Sequence, residues 1–311
     1  MSDRPERQHE QSRRPGSRFS VVVPTYDRPV QLAACVAALR QLECPGGTLE
    51  IVIVNDGGRS PGAELRTLVS GDASLEVRIL DQRNAGPASA RNAGAASARG
   101  EYLAFTDDDC MPEPQWLVAF DAVFRRAPDA LLGGRTTNAI TSSVYAEASQ
   151  HLADFVARHF RGGASGRFFT SNNIACSRAT FFKAGAFDTT FPYSAGEDRE
   201  FCDRWSAQGR PSESVEQAVV RHAHPLTARR FLRQHFTYGR GARAFRRVRA
   251  EAGRPVRVDP AFYVRSLGHA YSVGHGLRAP ALAALTAAAH GAYAAGLLWE
   301  SVRREKRHRD G

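Results

Sequence analysis

The chain predicts an α/β fold, a mostly parallel sheet flanked by helices and followed by a C-terminal helical extension, and three observations in its first 110 or so residues carry that expectation. Short apolar, β-prone runs recur four times; helix-period stretches alternate with them; and the runs end in polar clusters. Parallel strands need crossovers, and buried parallel strands read as near-continuous apolar runs.

Phe19-Ser-Val-Val-Val-Pro-Thr-Tyr is the first such strand, closed by Pro24. Asp27 offers an N-cap, Pro29 suits a first helical turn, and Leu32, Val36 and Leu39 recur at helical spacing up to the Pro45-Gly-Gly break. Leu49-Glu-Ile-Val-Ile-Val is the second strand, with a helix expected from Ala63 to Ser70 and a shorter strand at Val77-Arg-Ile-Leu. The Ala-rich segment between Pro87 and Gly100 predicts a helix whose small residues permit close packing, and Glu101-Tyr-Leu-Ala-Phe-Thr is the fourth strand. Beyond it the pattern predicts a helix from Trp116 to about Arg126, a Gly/Ser/Thr/Asn-rich middle, and a helix opened by Gly196-Glu-Asp.

In open parallel sheets, ligands bind outside the carboxyl ends of the strands. Here those ends are Pro24-Thr25-Tyr26-Asp27, Asn55-Asp56-Gly57 and Asp107-Asp108-Asp109, so acidic groups converge on one rim. Crowded carboxylates repel unless a cation neutralises them, and a hard divalent ion that completes its shell with phosphate oxygens answers that need. Glu197 and Asp198 belong to a helix N-terminus, where the macrodipole favours negative charge.

Taken in order, Val21-Val-Val-Pro-Thr-Tyr-Asp, Ile51-Val-Ile-Val-Asn-Asp-Gly, Gly86-Pro-Ala-Ser-Ala-Arg-Asn-Ala-Gly, Tyr102-Leu-Ala-Phe-Thr-Asp-Asp-Asp and Gly196-Glu-Asp-Arg-Glu-Phe resemble the family 2 glycosyltransferases of the GT-A, Rossmann-like fold. The resemblance spans about residues 18 to 225. It implies a nucleotide-diphospho-sugar donor (UDP-, GDP- or dTDP-sugar), a hydroxyl acceptor on a glycan, lipid or small molecule, Mn2+ or Mg2+ as cofactor, and inversion by direct displacement. On this resemblance Pro24, Thr25 and Tyr26 line the nucleobase pocket, Asp56 accepts from the base, and Arg91 lies near base and diphosphate. Asp107 and Asp109 form the DxD metal site, Asp109 as the direct ligand, and Asp108 contacts the donor. Asp198 is the catalytic base, beside Glu197, which orients the acceptor or caps the helix. His222, with His224 second, returns to the metal or diphosphate, and Asn172, Asn173 and Asp188 match acceptor-side positions. The implied setting is cell-envelope polysaccharide, glycolipid or natural-product glycosylation.

The rest of the composition bounds the partners. With 42% hydrophobic residues the 311-residue chain has enough apolar material for a sizeable core. Five scattered cysteines without a CxxC pair argue against a disulfide framework or structural zinc, and the polar, Arg-rich residues 1–18 read as a disordered lead-in, so a reducing, cytoplasmic setting is expected. The catalytic domain is expected over 19–225, with a nucleotide-sugar half at 19–110 and an acceptor half at 111–225. From residue 221 onward 18 basic residues face 5 acidic ones, while the first 220 carry a small net negative charge. The tail, 226–311, is therefore expected to meet an anionic surface, the inner face of a membrane, with Phe231, Phe236, Phe245 and Val248 between arginines as the membrane-facing set. Residues 279–299 are uncharged and long enough to span a bilayer, yet alanine-rich with Pro280, His290 and two glycines, which favours a packed or interfacial helix. No nucleic-acid motif accompanies the arginines, so no nucleic acid is expected as a partner. A nucleotidyltransferase making sugar nucleotides is a rival reading, but its early Gly-rich phosphate loop is missing from Val21-Val-Val-Pro-Thr-Tyr-Asp-Arg-Pro. A non-catalytic binding protein derived from the same fold is another, disfavoured because Asp109 and Asp198 are both retained.

Overall fold

A computed structural model describes residues 18–60, 75–160, 167–191 and 194–309. The expected helix at 63–70 and nearly all of the N-terminal lead-in lie outside them. Strands β1 (Phe19–Thr25), β2 (Leu49–Asn55), β3 (Leu75–Asp81) and β4 (Tyr102–Phe105) form a parallel half-sheet in the order β3-β2-β1-β4. β1, β2 and β4 are buried along their whole length, as strands covered on both faces must be.

The period of two divides that burial between two cores. Val21, Val23, Ile51 and Ile53 point to a cluster with Leu32, Val36 and Leu39 of α1 (Pro29–Leu39) and with Trp116 and Phe120 of α3 (Trp116–Phe124). Val22, Val52 and Val54 point the other way, to the alanines of α2 (Pro87–Ser97) and to Phe201 and Trp205 of α6 (Glu197–Ala207). Gly94 shows why α2 is built from small residues: a Cβ there would lie 3.1 Å from Val54 Cγ2 and deeper still into Val22.

The second half of the sheet reverses direction. β7 (Ile174–Ser177) runs antiparallel to β4 and β6 (Leu131–Asn138), β8 (Ser212–His222) runs parallel to β6, and β5 (Cys110–Pro112) pairs antiparallel with β8 at the edge. None of the four strands of this half was anticipated, nor was the 16-residue helix of the middle segment, α4 (Val144–His159), capped by the Ser143 hydroxyl on Ala146 N. Short helix α5 (Arg178–Lys183) follows β7. The N-cap of α1 also differs from expectation. Arg28 occupies it, while Asp27, at φ 49°, turns its carboxylate to Arg59 N at 3.1 Å.

The tail folds as α7 (Ala228–Glu251), α8 (Pro260–Val273) and α9 (Arg278–Arg309). Its membrane-facing set is corrected. Phe231 is 1% and Phe245 3% exposed, and Val248 packs beside Phe245. The apolar stripe of α7 is spent on the catalytic domain and on its helical neighbours, because a helix flanked on that side by protein buries its apolar face there. The exposed large apolar side chains of the tail are Leu232 and Tyr238 on α7 and, beyond it, Val258, Val264, Tyr271, Leu277, Leu298, Trp299 and Val302. Among the described residues one helical stretch, Arg278–Arg303 with mean hydropathy 1.4, is long and apolar enough to cross a membrane.

Candidate active site

The run Asp107-Asp108-Asp109 leaves β4 and enters β5, so the three carboxylates diverge. Asp107 turns to Arg91, whose Nη2 is 2.6 Å from Oδ1. Asp108 accepts from Thr25 Oγ1 at 2.8 Å and from Arg28 at 3.2 Å. Burial pushes the Asp108 carboxyl up to about 6, against the pull of Arg28 and Thr25.

Asp109 meets a different set. The antiparallel register places Cys110 opposite His222, which brings the His222 ring Nε2 to 3.2 Å from Asp109 Oδ1 and His224 Nδ1 to 3.3 Å from Oδ2. Arg28 is 3.0 Å from the same Oδ2. Burial works against the Asp109 carboxylate, but hydrogen bonds from both histidines and the Arg28 charge hold it far below the usual range. Burial would likewise lower His222, and the bond to Asp109 outweighs it, leaving His222 raised.

Asp109, His222 and His224 each offer a ligand atom, all within 4.8 Å of one another. One carboxylate with two imidazoles suits a divalent transition-metal ion, whereas Mg2+ prefers oxygen ligands only. The residues therefore fit the expected metal, with His224 as well placed as His222 and with Asp107 turned away toward Arg91.

The opposite lip is the start of α6. Gly196, at φ 96°, is its N-cap, and Glu197, Asp198 and Glu200 fill its first turn. Asp198 accepts from its neighbour's N–H, Arg199 N, at 2.7 Å and from the Ser171 backbone. Its carboxyl is raised because burial outweighs those bonds. Glu197 is 4% exposed and is pushed up to about 7 by burial and by the charge of Asp198, with Arg91 opposing. Arg91, itself 3% exposed, spans the two lips: Nη1 is 3.1 Å from Glu197 Oε1 while Nη2 holds Asp107. A charge this buried persists because both of its partners are carboxylates.

Asp56 and Asn173 have other engagements. The Asp56 carboxylate accepts from Gln82 Nε2, Ala85 N and Gly86 N at 2.7 to 2.9 Å, and so shapes the turn before α2. Asn173 is 1% exposed; it accepts from Trp116 Nε1 at 2.8 Å and donates to the carbonyls of Arg135 and Ala218. That places it as a tie between α3, β6 and β8. Tyr26, 51% exposed, stands open at the end of β1 beside buried Pro24 and Thr25. Sequence reasoning missed Arg28; the positive residue one step past a strand-end acid was the available signal.

The sequence model described as Glycosyl transferase family 2 matches residues 20–191, more than half of the chain. The chain belongs to glycosyl transferase family 2. The match ends before Gly196, so the α6 lip is placed by the fold rather than by the family match. The chain is 26% identical to chondroitin synthase of Escherichia coli over 67% of its own length and 35% of that protein. To an N-acetylglucosaminyltransferase of Rhizobium meliloti it is 24% identical, over 73% of the chain and 56% of the relative. The chain thus spans between a third and three-fifths of these two relatives. In structure it is similar to the mannosyltransferase PcManGT of Pyrobaculum calidifontis, solved with GDP-Man and Mn2+: TM-score 0.62 at 17% identity, over 92% of this chain and 83% of that one. It is also similar to S. aureus TarS residues 1–349, TM-score 0.51 at 16% identity, over 93% and 92%. The GT-A fold expected for this family 2 member is the fold it has.

Proposed function

We propose that the chain transfers a sugar from a nucleotide-diphospho-sugar to a hydroxyl acceptor with inversion at the anomeric carbon, dependent on a divalent ion. The observation that carries this reading is the pairing of two lips across one cleft: Asp109 with His222 and His224 on one side, Asp198 at the head of α6 on the other, joined by Arg91. Asp109, His222 and His224 would hold Mn2+, which when bound offsets charge on a leaving diphosphate. Thr25 and Arg28 hold Asp108 and Asp109 in place at the same strand ends. Arg28 carries positive charge where a diphosphate would sit. Pro24, Thr25 and Tyr26 are the candidate wall for the base, and Asp56 supports that wall by fixing the Ala85–Gly86 turn.

Asp198 is the proton acceptor. An acceptor hydroxyl ionises far above neutral pH, so a carboxylate must take its proton as the bond to the sugar forms. Burial, helped by the charge of Asp107, raises the basicity of Asp198, which suits the task. GDP-Man in the mannosyltransferase structure and UDP in a structure of TarS 1–349 make GDP- and UDP-sugars the first donors to test. We further propose a site at the inner face of the cell membrane and a glycan or lipid acceptor of the envelope. The exposed Leu298 and Trp299, near Arg303 at the end of the α9 apolar stretch, support that setting.

The test is release of nucleoside diphosphate from GDP-mannose, UDP-N-acetylglucosamine and dTDP-glucose, with Mn2+ or with chelator. At least one donor should turn over only with Mn2+. Asp198→Asn should lower turnover about 100- to 10,000-fold, the usual worth of a positioned general base, with nucleotide affinity within about 2-fold; undiminished turnover would remove Asp198 from the role.

A further inference from the structure

The three aspartates of the rim are held by two arginines of different standing. Arg91 is 3% exposed and fixed from two sides, by Asp107 and by Glu197. Arg28, the N-cap of α1, reaches in with its side chain 46% exposed, and a single nitrogen, Nη1, donates to Asp108 Oδ1 at 3.2 Å and to Asp109 Oδ2 at 3.0 Å. Those two carboxylates are its side-chain hydrogen-bond partners among the described residues. Asp109 Oδ2 is also the atom that His224 Nδ1 approaches to 3.3 Å, while His222 Nε2 lies 3.2 Å from Oδ1. The guanidinium therefore sits on a carboxylate oxygen of the candidate metal site.

We propose that Arg28 is an exchangeable counter-ion: it holds Asp109 until a divalent ion claims that carboxylate, then keeps Asp108 as its anchor and turns to the diphosphate of the donor. The proposal rests on the reading of Asp109, His222 and His224 as the metal site and adds that ion and nucleotide bind there cooperatively. A guanidinium and a divalent ion repel when they share one carboxylate, and the repulsion is strong here because Asp108 and Asp109 are 4% and 7% exposed. Arg28 is the partner that can give way. Its side chain is half open, whereas Arg91 is buried between two acids. A diphosphate then offers it new acceptors, since guanidinium–phosphate bonds are charge-assisted and often bidentate. With the ion alone, Arg28 loses one of its two partners; with ion and nucleotide together, it regains one. Each ligand must therefore tighten the other by the same factor.

The experiment measures Mn2+ binding to the full chain by electron paramagnetic resonance without nucleotide, and binding of GDP and UDP at saturating Mn2+ by calorimetry. Arg28→Met keeps most of the side-chain length and removes the charge. It should bind Mn2+ alone about 10-fold more tightly than the wild type and the preferred nucleotide about 10-fold more weakly, each shift matching one hydrogen bond to a charged group. Arg28→Lys restores the charge and should bring Mn2+ binding back to within about 3-fold of the wild type while still lacking the fork for phosphate. Arg28→Gln carries the same expectations as Arg28→Met should the latter melt early by circular dichroism. If the uncharged variants bind Mn2+ no more tightly than a wild type that does bind it, Arg28 is a fixed support: the exchange is overturned and the metal site stands. If neither chain binds Mn2+, the exchange and the metal site fall together. Opposite shifts in a chain that transfers no sugar would sink the transferase reading and leave the exchange standing.

Discussion

The parallel half-sheet and the helical tail handle the same material in opposite ways. In β1, β2 and β4 every residue is buried, apolar groups divide between two cores, and polar groups gather at strand ends, where Thr25 donates to Asp108 and Asn55 to Asp81. In the tail the buried set is small, and large apolar residues such as Val264, Leu277, Leu298 and Trp299 remain open. The difference follows from cover. A sheet with helices on both faces leaves no strand position in water, whereas α7 to α9 lie against the domain on one side only.

If the two regions divide the labour as this contrast suggests, the largest effects should come from the sheet rim. Asp109→Ala should weaken nucleoside diphosphate binding in Mn2+ about 100-fold, to its value in chelator, by calorimetry. Equal affinity with and without the ion in the wild type would break the assignment of that rim.

Next comes the tie between α3 and the strands β6 and β8. Asn173→Ala strands the buried Trp116 Nε1 and two strand carbonyls, and losses of this kind cost about 1–3 kcal/mol each before relaxation. A net loss of about 3 kcal/mol in denaturant titration is expected. A change below about 1 kcal/mol would mean that water replaces those bonds.

Gly241 tests whether the boundary between the regions is as sharp as the burial pattern. A side chain there would press on the Ala195 carbonyl, just ahead of the α6 N-cap. Gly241→Val should therefore cost about 1–3 kcal/mol by overpacking and lower turnover more than it lowers donor affinity. Loss of stability with normal turnover would confine the tail to scaffolding.

The lips also respond to pH. Burial raises Asp198, and the Asp198 charge in turn raises Glu197; a carboxylate takes a proton only when ionised, so if Asp198 is the base, transfer should fall as pH drops through the raised Asp198 range. Glu197→Gln removes the like charge. The acid limb of the kcat/KM profile should then move to lower pH, and an unmoved limb would show that the two carboxyls do not sense each other.

The smallest effect on catalysis belongs to the open apolar residues. Leu298→Ser with Trp299→Ser should leave transfer to a soluble acceptor within about 2-fold while lowering sedimentation with anionic phospholipid vesicles. Unaltered vesicle binding would remove these two residues from any membrane contact.

Much of this was legible in the chain. Three apolar runs ending in Thr25, Asp56 and the Asp107–Asp109 cluster identify buried parallel strands and their polar rim, because buried strands must be apolar throughout and ligands meet such sheets at the strands' carboxyl ends. The Gly196-Glu-Asp start of α6 was equally plain, since a glycine and acids are what a helix N-terminus favours. β6 and α4 escaped because their Gly-, Ser- and Thr-rich sequences carry weak periodicity, and only packing against β8 and the tail selects their form.

By itself, then, the sequence determined the parallel half-sheet, the acidic rim and the helix that carries Asp198. The tertiary structure decided the pairings. Asp109 meets His222 and His224 through an antiparallel register between segments more than 100 residues apart, Arg91 bridges two lips that share no local pattern, and Asn173 is consumed as a tie. It also turned Phe231 and Phe245 of α7 inward. Local periodicity says that a helix has an apolar face, but what that face meets depends on which surface lies beside it, and that is settled only when the whole chain packs.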